Sequence, residues 1–170
     1  MKKLVKFLGV AAPVALLGAC GGSGGEPTEA STDTTVESAA PTAAPEPEAP
    51  PPTAEDTTTL DGTTLASLSG DAAHGEQVFA QCRACHSVEP GKNGIGPSLA
   101  GVVGRTAGAV EGFQYTEANR TSGITWSAEK LYQYIEKPRR VVPGTKMIFA
   151  GMPKGQDRAD VIAYLLSTGQ

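Results

Sequence analysis

Cysteine and histidine are scarce in this sequence, and their scarcity excludes two common roles for cysteine. The 170 residues include three Cys, an odd number that argues against a simple disulfide scaffold. There are two His, at positions 74 and 86. Because Cys20 is far away in the chain, Cys82 and Cys85 lack the second ligand pair that a structural zinc site requires.

Basic and aromatic residues are missing altogether from residues 20–66, which contain nine acidic residues. This Pro-, Ala- and Thr-rich segment has too little apolar surface to offset its ordering entropy, so we predict a disordered linker. Residues 67–170 hold eleven Lys and Arg against nine Asp and Glu, the only Trp and all four Tyr, and are predicted to form the folded domain. A domain this small is marginal on apolar burial alone, and a large buried cofactor would help complete its core.

The N-terminus has the pattern of an export signal, predicted over residues 1–19. Three lysines in Met1–Lys6 precede the thirteen-residue apolar run Phe7–Ala19, which is broken by Pro13. As a helix this run would span ~20 Å, less than the ~30 Å hydrocarbon core of a bilayer. The end of the run, Leu17-Gly18-Ala19-Cys20, resembles the lipobox of bacterial lipoproteins. That resemblance implies cleavage before Cys20 and its lipidation, and the alternative is an uncleaved signal anchor.

The most informative motif is Cys82-Arg83-Ala84-Cys85-His86, which matches the C-x-x-C-H signature of covalent haem attachment. Two thiols three residues apart lie on one face of a helical turn and can add to the two vinyl groups of one haem. The adjacent His86 can then ligate the iron. A redox dithiol of the thioredoxin type is disfavoured because the βαβ pattern is missing. We therefore predict one covalent haem c with its iron.

The second axial ligand has three candidates: His74, Met147 and Met152. His74 precedes Cys82 in the same predicted helix, which already supplies the opposite face of the haem. A lone Met usually packs in a core. Met147 follows Pro143-Gly144, which predicts an irregular loop able to present a thioether inward.

Hydrophobic periodicity predicts helices over residues 71–85, 127–137 and 157–166. Ser127 is a candidate N-cap of the second helix, and Pro138 discourages its continuation. The glycine-rich stretch from Gly94 to Gly104 does not follow a strand and fails the dinucleotide-binding pattern. Gly94 and Gly96 are more typical of a backbone that approaches a flat ligand closely.

Residues 67–170 resemble a class I cytochrome c, similar to mitochondrial cytochrome c and its short bacterial relatives. The specific motif is Pro-Gly-Thr-Lys-Met-Ile-Phe-Ala-Gly at residues 143–151. The resemblance implies an all-α fold of three to five helices wrapped around one covalent haem. It implies His86 and Met147 as axial ligands. Together with the N-terminal features, the resemblance predicts a bacterial, membrane-anchored lipoprotein form of this family.

The resemblance implies further roles around the haem. The Pro97 carbonyl would accept a hydrogen bond from the His86 ring. Tyr134 would lie near the Met147 sulfur, and Asn119 near a buried water. Four residues resemble the family's contacts to the haem propionates: Arg105, Tyr115, Trp126 and Thr145.

With both axial sites filled, we expect an electron carrier rather than an enzyme. The expected protein is a monomer without nucleic-acid binding, held on the periplasmic side of a bacterial membrane through Cys20. Its expected donor is a quinol-oxidising cytochrome bc complex, and its acceptor a terminal oxidase or photosynthetic reaction centre. The alternative is a haem peroxidase or gas-sensing domain with a labile sixth ligand. A basic docking rim is expected from six residues: Lys92, Lys137, Arg139, Arg140, Lys146 and Lys154.

Overall fold

Short helices joined by long irregular loops make up the structure, a computed structural model that describes residues 50–169. The α-helices are α1 (Ala72–Val78), α2 (Glu117–Arg120), α3 (Ala128–Glu136), α4 (Pro138–Val141) and α5 (Gly155–Thr168). Two 3₁₀ turns lie at Leu65–Ser67 and Phe79–Gln81. The described part contains no strand beyond an isolated bridge between Thr106 and Thr125, so the all-α prediction is confirmed. The predicted signal segment and Cys20 lie outside the described residues.

Helices α1 and α5 cross at a very close approach. Gly75 allows it, because a Cβ at this position would overlap the carbonyl oxygen of Asp160 on α5. One turn further, the rings of Phe79 and Tyr164 pack with centroids 5.2 Å apart. The crossing fixes the segment that leads into the C-x-x-C-H motif.

The first helix is shorter than predicted. It begins after Asp71, whose side chain accepts hydrogen bonds from the amides of Ala73 and His74, and it ends at Val78. The chain then tightens into the 3₁₀ turn and a further turn, in which the amides of Cys85 and His86 both donate to the carbonyl of Cys82, at 3.1 and 2.9 Å. The haem-attachment motif is therefore a turn after the helix rather than its last helical turn.

Helix α3 begins as predicted, with the Ser127 hydroxyl accepting from the amide of Lys130 at 3.0 Å. It ends at Glu136, one residue before the predicted end, because Pro138 lacks an N–H and starts α4 instead. Leu131 and Tyr134 are buried in the core. The polar residues of the other side of α3 are also buried, which a surface helix would not show.

A segment N-terminal to the predicted domain covers that polar side of α3. We call residues 53–68 the N-terminal strap. The ammonium group of Lys130 donates to the carbonyls of Thr53 and Asp56, both at 2.7 Å. The amide of Gln133 donates to the carbonyl of Thr58 at 2.8 Å. Lys130 and Gln133 are 1% and 0% exposed as a result.

The strap continues along Glu136, the next polar residue of this side. The Glu136 carboxylate accepts hydrogen bonds from the amides of Leu60 and Asp61, at 2.7 and 3.1 Å. Between these contacts Thr59 is buried. The strap is thus held mainly through its backbone.

The predicted linker of residues 20–66 therefore needs correction over residues 50–66, which lie against the domain. Composition counts apolar side chains, whereas the strap is stabilised by hydrogen bonds from its main chain to Lys130, Gln133 and Glu136. The domain extends at least to Thr53 rather than starting at residue 67. Among residues 50–169, none of the helices has the length and apolar character needed to span a membrane.

Candidate haem site

The imidazole of His86 is held in one tautomer. Its Nδ1 lies 2.8 Å from the carbonyl oxygen of Pro97. Because a carbonyl can only accept, Nδ1 carries the proton and the lone pair of Nε2 is available for a metal. Burial lowers the pKa of His86, and the hydrogen bond to Pro97 opposes this only in part. The neutral ligand form is thus favoured at neutral pH.

Gly96 lets the loop that carries Pro97 pack against this ring. A Cβ at Gly96 would lie 2.6 Å from Nδ1 and 2.9 Å from Nε2 of His86, closer than real atoms approach. A Cβ at Gly94 would lie 3.1 Å from the carbonyl oxygen of Cys85. The two glycines allow close approaches, as predicted, but to groups of the protein itself. The group that Gly96 approaches is the His86 imidazole, and the one at Gly94 is the backbone of the C-x-x-C-H turn.

Cys82 begins this turn and Cys85 immediately precedes His86, and both side chains are half-buried. Burial, and then the proximity of Cys85, raise the pKa of the Cys82 thiol to about 11. Thiols in one turn, next to an imidazole with a free Nε2, are the donor set that covalent haem attachment needs.

The Met147 sulfur lies in a second cluster. The Tyr134 hydroxyl donates to the Met147 Sδ at 3.5 Å and lies 3.4 Å from the Thr145 hydroxyl. Asn119 donates to the same Thr145 oxygen at 3.4 Å. Burial raises the pKa of Tyr134, with hydrogen bonds to Thr145 and Asn119 opposing, so the neutral phenol is the donor. The Trp126 ring packs on Tyr134, with centroids 4.7 Å apart.

Arg105 connects this cluster with the loop that follows Pro97. The backbone of Arg105 accepts a hydrogen bond from the Trp126 amide at 2.9 Å. Its guanidinium donates to the carbonyls of Ala100 and Ser98, at 2.9 and 2.8 Å. Burial lowers the pKa of Arg105 and raises that of Tyr115, and the nearness of the two groups opposes both shifts. The guanidinium keeps further N–H groups for an anion.

The two rival axial ligands have other partners. His74 lies on α1, with Nδ1 2.7 Å from the buried carboxylate of Asp160. Met152 is 5% exposed, and its amide donates to the carbonyl of Ile135 at 2.9 Å. Met147 as the second axial ligand stays a prediction, which rests on its loop context.

Two exposed apolar residues were not predicted as site residues. Ile148 follows Met147 and is 91% exposed, and Ile95 precedes Gly96 and is 77% exposed. An apolar residue next to a ligand in an irregular loop was the available signal. Ile148 is adjacent to Met147, and Ile95 is adjacent to Gly96, which packs on the His86 ring.

The six basic residues differ in their surroundings. Lys92 pairs with Glu89 at 2.9 Å, and Lys146 lies 4.2 Å above the Phe113 ring. Arg140 donates to the strap carbonyl of Thr58 at 3.0 Å. The other three make no ion pair within residues 50–169: Lys137, Arg139 and Lys154.

An all-α domain whose C-x-x-C-H turn holds its imidazole in the ligand tautomer has the architecture of a monohaem c-type cytochrome, a class of electron-carrying haem proteins. Comparison with known proteins places it more closely. The cytochrome c family model matches residues 72–169, and the chain belongs to this family. Its cofactor is accordingly haem c, attached covalently.

Individual relatives agree with this placement. A cytochrome c2 of Blastochloris viridis is 55% identical over 96 residues, which cover 56% of this chain and 76% of that protein. A cytochrome c2 of Rhodoblastus acidophilus is 51% identical, over 57% of this chain and 92% of that protein. The solved cytochrome cH from Methylobacterium extorquens superposes with a TM-score of 0.56 at 47% identity, covering 58% of this chain and 99% of that one.

Proposed function

We propose that this cytochrome carries single electrons between membrane-bound complexes while it is tethered to the membrane through Cys20. The observation that supports the proposal is that each of two candidate iron ligands is held by a hydrogen bond, His86 to Pro97 and Met147 to Tyr134. Two such donors would fill both axial positions of one iron. No position would then remain for a substrate, so outer-sphere electron transfer is the activity that the site supports.

Each donor has its own supporting residue. Cys82 and Cys85 would hold the haem through thioether bonds, and Pro97 keeps the His86 ring oriented, which preserves its basicity as a ligand. When bound, haem c supplies one iron that alternates between the ferric and ferrous states, and His/Met ligation favours the ferrous state. Tyr134 strengthens that preference by donating to the sulfur.

The propionates of the haem need cations or N–H and O–H donors when they are buried. Arg105 with its spare guanidinium donors and Tyr115 beside it are suited to one such carboxylate. Trp126 and Thr145 complete this set, and Asn119 orients Thr145. These residues would bind and orient the cofactor rather than react.

Docking would use exposed apolar residues such as Ile95 and Ile148, and the exposed basic residues Lys146, Arg139 and Lys154 would steer an acidic partner. The proposed donor is a quinol-oxidising cytochrome bc complex, and the proposed acceptor is a terminal oxidase or a reaction centre. Proteins that dock through a small interface with complementary charges associate fast, and their association slows as the salt concentration rises. The rate of reduction by a bc complex should therefore fall steeply as ionic strength rises, and a flat salt profile would contradict this docking mode.

The proposed location is the periplasmic face of a bacterial membrane, with residues 1–19 removed and Cys20 acylated. Two or more acyl chains give stable anchoring, which one chain does not. Replacing Cys20 with Ala should release the holoprotein from membranes after carbonate washing and leave its spectrum unchanged. A Cys20→Ala protein that stays in the washed membrane would indicate an uncleaved signal anchor instead.

The tether proposal can be tested without disturbing the strap. Deleting residues 28–47 shortens the acidic, proline-rich segment and keeps both Cys20 and everything from residue 50 onward. A tether too short to span both docking sites cannot support shuttling. Electron flow in intact membranes should fall at equal haem content, while reduction by a soluble chemical donor should not change. Unchanged flow would point to a relay fixed on one partner.

The peroxidase or gas-sensor alternative requires an open or labile sixth position. No observation among the described residues favours it, since Met147 has a specific donor in Tyr134. A spectrum of the ferric holoprotein decides between the two functions. A sulfur-to-iron charge-transfer band supports the carrier, and its absence together with rapid carbon monoxide binding would support the alternative.

A further inference from the structure

A buried arginine joins the N-terminal strap to helix α5. Arg158 is 0% exposed, and its Nη2 donates to the carboxylate of Asp61 at 2.7 Å and to the Thr63 hydroxyl at 3.1 Å. The same nitrogen lies 3.2 Å from the hydroxyl of Tyr132, whose ring stacks 4.4 Å from the guanidinium carbon. A guanidinium stays charged at all ordinary pH values, so its burial requires an anion.

The other half of the same guanidinium holds the loop that carries Met147. Nη1 of Arg158 donates to the carbonyls of Met152 and Pro153, at 2.8 and 3.0 Å. We call residues 142–154, between α4 and α5, the Met147 loop. Arg158 therefore binds the C-terminal end of this loop with one nitrogen and the strap with the other.

A second contact fastens the loop at the same place. Gly151 has a φ of +111° and packs on the end of α3, where a Cβ would overlap the carbonyl oxygen of Glu136. The Glu136 carboxylate lies 3.5 Å from Arg158 and accepts the strap amides of Leu60 and Asp61. Strap, α3, α5 and the end of the loop thus form one connected network.

We propose that the strap is a clamp on the Met147 loop, and that Asp61 is a positioning residue that keeps Met147 on the haem iron through Arg158. This inference rests on the proposed assignment of Met147 as axial ligand. The strap lies before residue 72, where the match to the cytochrome c family begins. The clamp is therefore carried by the segment that also connects the domain to its proposed tether.

The direction of the effect follows from charge and geometry. Without the Asp61 carboxylate, the nearest remaining anion for Arg158 is Glu136, at 3.5 Å. The guanidinium then shifts toward Glu136 and away from the carbonyls of Met152 and Pro153. A loop released at one end opens more easily, and the thioether competes less well with other ligands for the iron.

The test uses the full-length ferric holoprotein and the variant Asp61→Asn. The pH midpoint at which the sulfur-to-iron charge-transfer band disappears should be lower than in the wild type. Imidazole should replace the thioether with roughly tenfold higher affinity, because removing one partner of a buried ion pair is strongly destabilising. Hydrogen exchange at the amides of residues 144–152 should accelerate. Asp61→Glu should recover most of each effect.

Two controls separate a clamp from general stability. Asp56→Asn removes a strap carboxylate that makes no contact with Arg158 and accepts from the Thr58 amide at 2.7 Å, and it should leave the band and the imidazole affinity as in the wild type. Ile162→Val loses a methyl group in the core of α5, and should lower the urea midpoint without moving the band. If Asp61→Asn does not fold, Thr63→Ala is the milder variant and should move the band in the same direction.

Three results would overturn the clamp. The first is a pH midpoint of band loss and an imidazole affinity that are unchanged in Asp61→Asn. The second is an equal shift of that pH midpoint in Ile162→Val, and the third is that Asp61→Glu does not restore the wild-type values. A different result would show that the proposed function, rather than the clamp, is at fault. If the wild type itself shows no sulfur-to-iron band, the Met147 assignment is wrong and the clamp falls with it.

Discussion

The hydroxyl of Tyr134 donates a hydrogen bond to the sulfur of Met147 across 3.5 Å. If Met147 ligates the iron, such a bond withdraws electron density from the thioether and makes it a weaker donor to ferric iron. Tyr134→Phe keeps the ring on Trp126 and removes the hydroxyl, with its contacts to Met147 and Thr145. We expect the reduction potential to fall by roughly 40 mV, the equivalent of a hydrogen bond of about 1 kcal/mol for a one-electron couple. Potentiometric titration measures this, and a rise in potential would contradict the donor role.

Replacing Met147 with Ala should leave the covalent haem in place and open the sixth position. Carbon monoxide binding to the reduced protein should then increase sharply. Met152→Ala is the matched control, because Met152 is a buried core residue whose backbone amide donates a hydrogen bond to the carbonyl of Ile135. It should lower the free energy of unfolding by about 2–5 kcal/mol without opening the iron. Carbon monoxide binding that rises in Met152→Ala and not in Met147→Ala would reverse the ligand assignment.

Gly75→Ala tests the crossing of α1 and α5. A Cβ at this position overlaps the backbone of Asp160, which cannot move as a side chain would. The strain should exceed the ~1 kcal/mol that Ala gains over Gly in a helix, for a net loss of about 2 kcal/mol or more. Gly169→Ala is the control, since its nearest atom would lie at 3.4 Å, and its effect should stay within about 0.5 kcal/mol. Urea unfolding of both holoproteins provides the comparison.

Stability should decrease in acid partly through Asp160. Burial alone would raise its pKa, but hydrogen bonds from the Asp71 amide, His74 and Gln156 outweigh burial and hold it below the ordinary value of 3.8. A carboxylate with a lowered pKa contributes stability that is complete above the unfolded pKa and is lost as the pH falls through the folded one. The urea midpoint should therefore drop below about pH 4.

Asp160→Asn should flatten this acid limb and lower stability at pH 7. Asp157→Asn, on the same helix and with no side-chain hydrogen bond among the described residues, serves as control. An acid limb of equal steepness in Asp160→Asn and the wild type would mean that other carboxylates dominate.

The parts that the sequence predicted well are those encoded by local spacing. The turn Cys82–His86 and the loop before Met147 are short motifs whose geometry follows from neighbouring residues, and the structure places His86 on Pro97 and Met147 beside Tyr134. The assignment of these residues as haem ligands stays a prediction until the holoprotein is measured. Helix α3 was also predicted correctly, because its N-cap Ser127 and the following Pro138 are both local signals.

The parts that local reasoning missed depend on distant partners. Lys130, Gln133 and Glu136 have the spacing of a solvated helix face, and only the strap, more than sixty residues earlier in the chain, makes them interior. Arg158 is a similar case, because a charged residue on an amphipathic helix is normally exposed. Neither composition nor periodicity records a backbone segment that satisfies buried charges.

The position of the strap bears on how the domain is cut out for expression. A fragment that starts at residue 72, where the match to the cytochrome c family model begins, would contain every predicted haem-site residue and would still leave Arg158 without Asp61 and Glu136 without its two amides. If the clamp acts as proposed, such a truncated protein would keep the haem-attachment motif and have a weakened sixth ligand. A recombinant domain that retains the contacts of the strap should therefore begin no later than Thr53.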